Sequence, residues 1–184
     1  MRAVLISIQP KWVFLIIAQK MGWDIGKEKT IEVRKDFPKA VGWNKKVKIY
    51  CSKNKKSFTE IPKTYQPLME KFLGKVIGEF VCDSVGKIEY DPSNYFSRFS
   101  PSMNPWEMWE YGRGKPLYGW HISDLKIYDK PKELSEFKKS CPYTDGTYCI
   151  ENKCEYYGSW TGVCRRWVER PPQSWCYVEE LQNG

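Results

Sequence analysis

The sequence predicts an α+β fold, a small β-barrel flanked by short helices. Many short segments alternate apolar and polar residues, and few stretches carry helical periodicity. Aromatics are plentiful as well: nine Trp, twelve Tyr and eight Phe supply bulk for a core in a chain whose hydrophobic share is only 41%. At 184 residues the length suits one domain with an appendage.

The elements follow in chain order. Ala3 to Ile8 reads as a strand with Val4, Ile6 and Ile8 on one face. Pro10 then suits the first turn of a helix, where its missing N–H costs nothing. Val13, Ile16, Ile17 and Met21 recur at helical spacing and predict a buried stripe over residues 10–21. Thr30 to Arg34, in the stretch GKEKTIEVRK, alternates strictly. Ile31 and Val33 are expected to face a core, and Thr30, Glu32 and Arg34 to share the other face. Lys46 to Ser52 is a second such strand, with Val47, Ile49 and Cys51 inward and Lys46, Lys48 and Tyr50 outward. YQPLMEKFL, residues 65–73, predicts a short helix leading to Gly74, and KVIGEFVCD, residues 75–83, a strand buried on both sides. Tyr118 to Tyr128 and Trp175 to Glu180 supply two or three more strands, and Pro131 to Lys138 a short helix opened by its proline.

The formal charge is +8 and unevenly spread. Residues 26–56 carry eleven Lys and Arg against three acids. Such a stripe is the footprint of a polyanion. A lysine-rich surface with no partner would look the same.

Two segments break the strand pattern. Residues 90–120 hold nine aromatics, among them Trp106, Trp109 and Trp120, between Ser, Pro, Asn and Gly. They predict either a loop folded down over the barrel or a base-stacking wall. The C-terminal stretch holds five of the seven Cys. Cys141, Cys149, Cys154 and Cys164 are candidate ligands for a structural Zn²⁺, although their spacing contains no C-x-x-C knuckle. No other cofactor is required. Cys51 and Cys82, on strands, read as ordinary buried residues.

The chain has one histidine, His121, too few for a histidine-rich metal site. No G-x-S-x-G, H-E-x-x-H or phosphate-cradling glycine loop is present. No apolar run approaches the length of a membrane span. The opening run Val4 to Ile8 is too short for a secretory signal, so a cytoplasmic address is expected.

Together the segments LISIQPKWVFLI, KTIEVRK, KVKIYCSK, GKVIGEFVCD and YGWHISDLKIYDKP resemble the ASCH domain family, of the PUA-like superfamily of small mixed β-barrels. The family's hallmark is a glycine followed by Lys, two residues, Glu, one residue and Arg. Lys29, Glu32 and Arg34 match it, with Gly26 one residue farther away. The resemblance implies a barrel over residues 1–140 and a Cys-rich insertion over 141–168. Residues 169–184, which carry RPPQSWCYVE, would then be the barrel's closing strand, as in phage-type and Firmicute members.

The resemblance also implies a function: RNA or modified-nucleotide binding in a basic cleft beside an aromatic pocket. The expected contacts are Lys29, Thr30, Glu32, Arg34, Lys45, Lys46, Lys48 and Lys53, with Trp106, Trp109, Trp120 and His121. A rival implication is hydrolysis, since some small members resemble amidohydrolases acting on modified cytidines and others ribonucleases. Lys29 would then be catalytic with Glu79, but the residue three after Lys29 is Glu32 where the amidohydrolases have Thr. A third reading is a protein-interaction module using the Cys-rich insertion. Residues 141–184 hold four basic and six acidic side chains, a mild argument against nucleic acid there. A monomer is expected.

Overall fold

The computed structural model describes residues 2–26, 28–39, 44–88, 102–141, 154, 156–158 and 163–179. Strand β1 (Arg2–Ile8) runs into helix α1 (Pro10–Met21). Then come β2 (Ile31–Arg34), β3 (Lys45–Cys51) and three short helical pieces: α2 (Lys55–Thr59), a 3₁₀ turn (Lys63–Tyr65) and α3 (Gln66–Glu70). After β4 (Val76–Cys82) and β5 (Val85–Ile88) lies α4 (Pro105–Gly112). Strands β6 (Leu117–His121), β7 (Ser123–Lys132), β8 (Tyr157–Gly158), β9 (Val163–Cys164) and β10 (Trp175–Glu179) complete the described chain. No described helix is long and apolar enough to cross a membrane.

The α+β class holds, but among the described residues the strands do not close into a barrel. A five-stranded sheet has the order β10-β1-β3-β4-β7, and a separate three-stranded sheet the order β2-β6-β5. The chain leaves the large sheet at Cys82, enters the small one at Val85, and returns between His121 and Ser123. Closure needs a continuous hydrogen-bonded seam round the ring. Among the described strands, β2 and β5, four residues each, bond only to β6.

β1 is central in the large sheet, parallel to β3 and antiparallel to β10. Val4, Ile6 and Ile8 join Val47 and Ile49 of β3 in the principal core, which α1 closes with Val13, Phe14, Ile16 and Ile17. Met21 departs from the predicted stripe and is exposed, because α1 ends there on Gly22 at φ 67. A second core covers the other face of this sheet, where Ala3, Leu5, Tyr50 and Val178 meet Leu134, Phe137 and Val168. β1 and β3 are therefore buried on both faces, which their alternation had not suggested.

Two further expectations change. Pro131 extends β7 instead of opening a helix, and only Leu134–Glu136 turns, as 3₁₀. The aromatic segment contains a helix, α4, whose start is a capping box: Asn104 accepts from the Glu107 N–H, and the Glu107 carboxylate from the Asn104 N–H. Over β2 and β6, Met103, Met108 and Tyr111 pack on Ile31, Val33 and Leu117 as a small third core. A closely packed glycine pins β4 against β7: a Cβ on Gly78 would lie 2.2 Å from the Lys126 carbonyl oxygen.

Candidate functional site

A cleft of about 830 Å³ opens where β1 passes into α1. Its floor is β2, whose burial on the α4 side turns the even-numbered side chains toward the cleft. Lys29, Glu32 and Arg34 are all more than nine-tenths buried. Glu32 Oε1 lies 2.8 Å from the Arg34 guanidinium, and Glu32 Oε2 3.0 Å from the Lys29 ammonium. Lys29 also donates to the Ile31 carbonyl at 2.9 Å, and Arg34 to the Ser7 carbonyl at 2.7 Å. Glu32 Oε2 and Arg34 Nε nonetheless make no hydrogen bond. The array is a buried ion triplet in which Glu32 Oε2 is held by charge alone and Arg34 Nε has no partner.

Four segments wall the cleft. The start of α1 brings Lys11 and Trp12; α2 brings Asn54, Lys56 and Glu60. α4 brings Glu107, Glu110 and Tyr111, with Arg113 just beyond its end. Pro171, Pro172 and Gln173, before β10, close the fourth side. Across the mouth, the Lys11 ammonium bridges Glu60 at 2.8 Å and Glu107 at 3.1 Å. Burial alone would lower its pKa, but the two carboxylates outweigh that and the net direction is up. The Lys29 ammonium lies 5.1 Å from the Trp12 ring centroid, and that of Lys35 4.9 Å from Tyr111. Burial pushes the Tyr111 hydroxyl up, against the pull of neighbouring Arg34.

The lining holds six basic side chains, Lys11, Lys29, Arg34, Lys35, Lys56 and Arg113, and four acidic ones, Glu32, Glu60, Glu107 and Glu110. The inner six of these ten cancel: Lys29 and Arg34 share Glu32, and Lys11 is held between two glutamates. The excess positive charge lies on Lys35, Lys56 and Arg113.

The predicted residues divide accordingly. Lys29, Glu32 and Arg34 come together at the floor. Thr30 does not line the cleft, and its carbonyl accepts the Ile122 N–H. The basic run is not one stripe. Lys46 is exposed on β3, and Lys53 lies against Gly74. Lys45 is buried with no partner for its ammonium, and burial lowers its pKa despite nearby Cys82. Lys48 faces away from the principal core and pairs with Glu79. Tyr128 donates to the same carboxylate at 2.8 Å. Burial would raise the Glu79 pKa, but Lys48 and Tyr128 bring it below its ordinary value. Glu79 is thus engaged on another face, and the structure does not bring it to Lys29.

Trp120 is a core residue, 1% exposed, and not an open stacking surface. His121 Nδ1 lies 2.7 Å from Asp83 Oδ1, away from the cleft lining. Trp106 and Trp109 are exposed and stack on each other. Cys154 is buried, Cys141 and Cys164 are half-buried, and Arg166 Nε donates to Cys164 Sγ at 2.9 Å. Cys149 lies outside the described residues. Among those described, no three His, Cys, Asp or Glu side chains are grouped as metal donors.

Of the cleft's aromatics, Tyr111 lies in the segment expected to supply a stacking wall, whereas Trp12 escaped sequence reasoning. Trp12 lies one residue before the buried stripe of α1, a position that signals a helix side wall only once the neighbouring elements are known. Asn104 to Glu107 did carry a signal, since N-P-x-E is a helix start.

No family model matches the sequence, and no curated protein does. Solved structures do. The ASCH protein of Zymomonas mobilis matches with a TM-score of 0.53 at 15% identity, over 97% of this chain and 88% of that one. Two of its mutants, a tyrosine-to-phenylalanine and a serine-to-alanine, match equally, over 91% and 89% of their chains. The chain has the fold of these ASCH structures, as its motifs led one to expect.

Proposed function

We propose that the cleft binds RNA by one of its nucleotides, with the base on the Lys29–Glu32–Arg34 floor and the phosphates at the rim. The observation that carries this reading is the buried triplet on the cleft floor, in which Arg34 Nε has no partner and Glu32 Oε2, ion-paired with Lys29, makes no hydrogen bond. Buried polar atoms without partners are costly, and a ligand that completes their hydrogen bonds removes the cost. A base edge with an amine beside a ring nitrogen or carbonyl offers the donor and acceptor required.

The charge distribution agrees. The floor triplet keeps one positive charge, which the Lys11–Glu60–Glu107 bridge balances; the neutral inner cleft suits a polar ring, and Lys35, Lys56 and Arg113 at the rim suit phosphates. The start of α1 adds the positive end of its dipole on the same side. Trp12 and Tyr111 offer side walls for stacking. The ASCH fold is in keeping with this assignment.

The test is a salt-dependent titration of short single-stranded RNAs followed by Trp fluorescence, with each RNA run on a gel afterwards. Saturable binding that weakens with salt, is lost in Arg34→Ala and leaves the RNA intact is the expected result. Cleaved RNA, with cleavage abolished by Lys29→Ala, would replace binding by hydrolysis at the same cleft. Absence of binding to any RNA or nucleotide would overturn the reading.

A further inference from the structure

Trp106 and Trp109 are 68% and 64% exposed, and their rings stack on each other with centroids 5.2 Å apart and planes 24° apart. Large aromatics are mostly drawn into cores or interfaces, and two of them in water side by side are unusual for a folded surface. Each ring covers one face of the other. The outer faces stay open.

Their place on α4 says what fits there. On a helix, residues four apart are neighbours on one side. Trp106 therefore adjoins Glu110, and just beyond the helix the Arg113 N–H donates to the Trp109 carbonyl at 2.9 Å; Glu110 and Arg113 both line the cleft. The indole pair is thus continuous with the cleft rim, on a helix only about 10–12 Å across. Lys35, Lys56 and Arg113 outnumber the uncompensated Glu110 at that rim. A flat, apolar, polyanion-tethered partner matches both features.

We propose that Trp106 and Trp109 form a second stacking subsite outside the cleft, which takes a base adjacent to the one bound inside. The ligand is then an oligonucleotide strand of at least two nucleotides, not a free nucleoside. This rests on the nucleotide reading of the cleft and adds a length requirement to it. Stacking suits this surface because it tolerates any base and needs no hydrogen-bonding groups beyond the backbone cations.

The experiment compares a ribonucleoside 5′-monophosphate with a five-nucleotide single-stranded RNA on the full chain, by calorimetry. The pentamer should bind at least tenfold more tightly. Trp109→Ala should weaken the pentamer by about 5- to 150-fold, the range for one lost base stack, and leave the monophosphate unchanged. Trp109→Phe should recover part of the loss. Both side chains are exposed, so thermal unfolding should scarcely move. A monophosphate that binds with no gain on lengthening overturns the second subsite alone. Pentamer affinity indifferent to both Trp106→Ala and Trp109→Ala overturns it too, and leaves the indoles as a surface for a protein. Failure of both ligands to bind overturns the cleft reading and this one together.

Discussion

Glu32 and Arg34, two residues apart on one short strand, hold each other at 2.8 Å while each keeps a polar atom without a hydrogen-bond partner. Lys29 completes the array from the other side of the carboxylate. One buried anion thus serves two buried cations.

Removing that anion should be severe. Glu32→Ala leaves two buried positive charges facing each other, and loss of one partner of a buried ion pair costs about 3–5 kcal/mol. Urea unfolding should show that loss. Adding Lys29→Met to the Glu32→Ala variant should recover part of it, because one stranded cation is then gone. A double variant less stable than the single one would mean Lys29 contributes packing and not charge.

Rim and non-rim lysines should separate in a salt titration. Lys56→Ala should weaken RNA binding for every sequence and lower the slope of log affinity against log salt by about 0.7, the value for one phosphate contact on a single strand. Lys46→Ala, at an exposed position outside the cleft lining, should leave the slope unchanged. Equal effects from the two would place the strand elsewhere.

Lys45 is a liability of the fold. Its ammonium is buried without a partner, and burial lowers its pKa from 10.5. The unfolded chain therefore holds this proton more tightly than the folded one. Stability attributable to Lys45 rises with pH between its lowered folded value and 10.5. Lys45→Met should stabilise the protein by about 1–3 kcal/mol at neutral pH, with the gain shrinking toward pH 10.5. Chemical unfolding at three pH values checks both size and direction.

Glu79 has the opposite sign. Its folded pKa lies below 4.5 because Lys48 and Tyr128 overcome the effect of burial. Its contribution is complete above about pH 4.5 and is lost as the pH falls through the lower, folded value. Glu79→Gln should cost about 1.5–3 kcal/mol at neutral pH, the scale of a charged hydrogen bond. The difference from the parent should vanish in acid. A cost that persists in acid would assign Glu79 to shape instead of charge.

Much of the scaffold was legible from period alone. β1, α1 and β3 fall where the alternation and the helical stripe put them, because those patterns record which face of an element is apolar. What period two does not record is whether the other face is covered. Lys48 and Tyr50 read as outward residues, yet the sheet's second face is buried under Leu134, Phe137 and Val168, far along the chain. The missed α4 is a different case: its aromatics mask the helical period, and only the Asn104–Glu107 cap marks its start.

By itself the sequence determined where β1, α1, β2, β3, β4 and β10 lie, the ASCH-type motif at Lys29, Glu32 and Arg34, and the excess of positive charge. These are local properties, set by side-chain period and composition. Tertiary structure alone decided that the motif is a buried triplet instead of an open polar face. It alone also scattered the basic run so that, of its described members, only Lys29, Arg34, Lys35 and Lys56 reach the cleft, and chose Trp12 and Tyr111 over Trp120 as the cleft's aromatics. The physical reason is that burial and pairing depend on what packs across from a residue. For β2 and the lysine before it those neighbours are β6, the end of β1, Trp12 of α1, and α4, and no stretch around residue 30 specifies them.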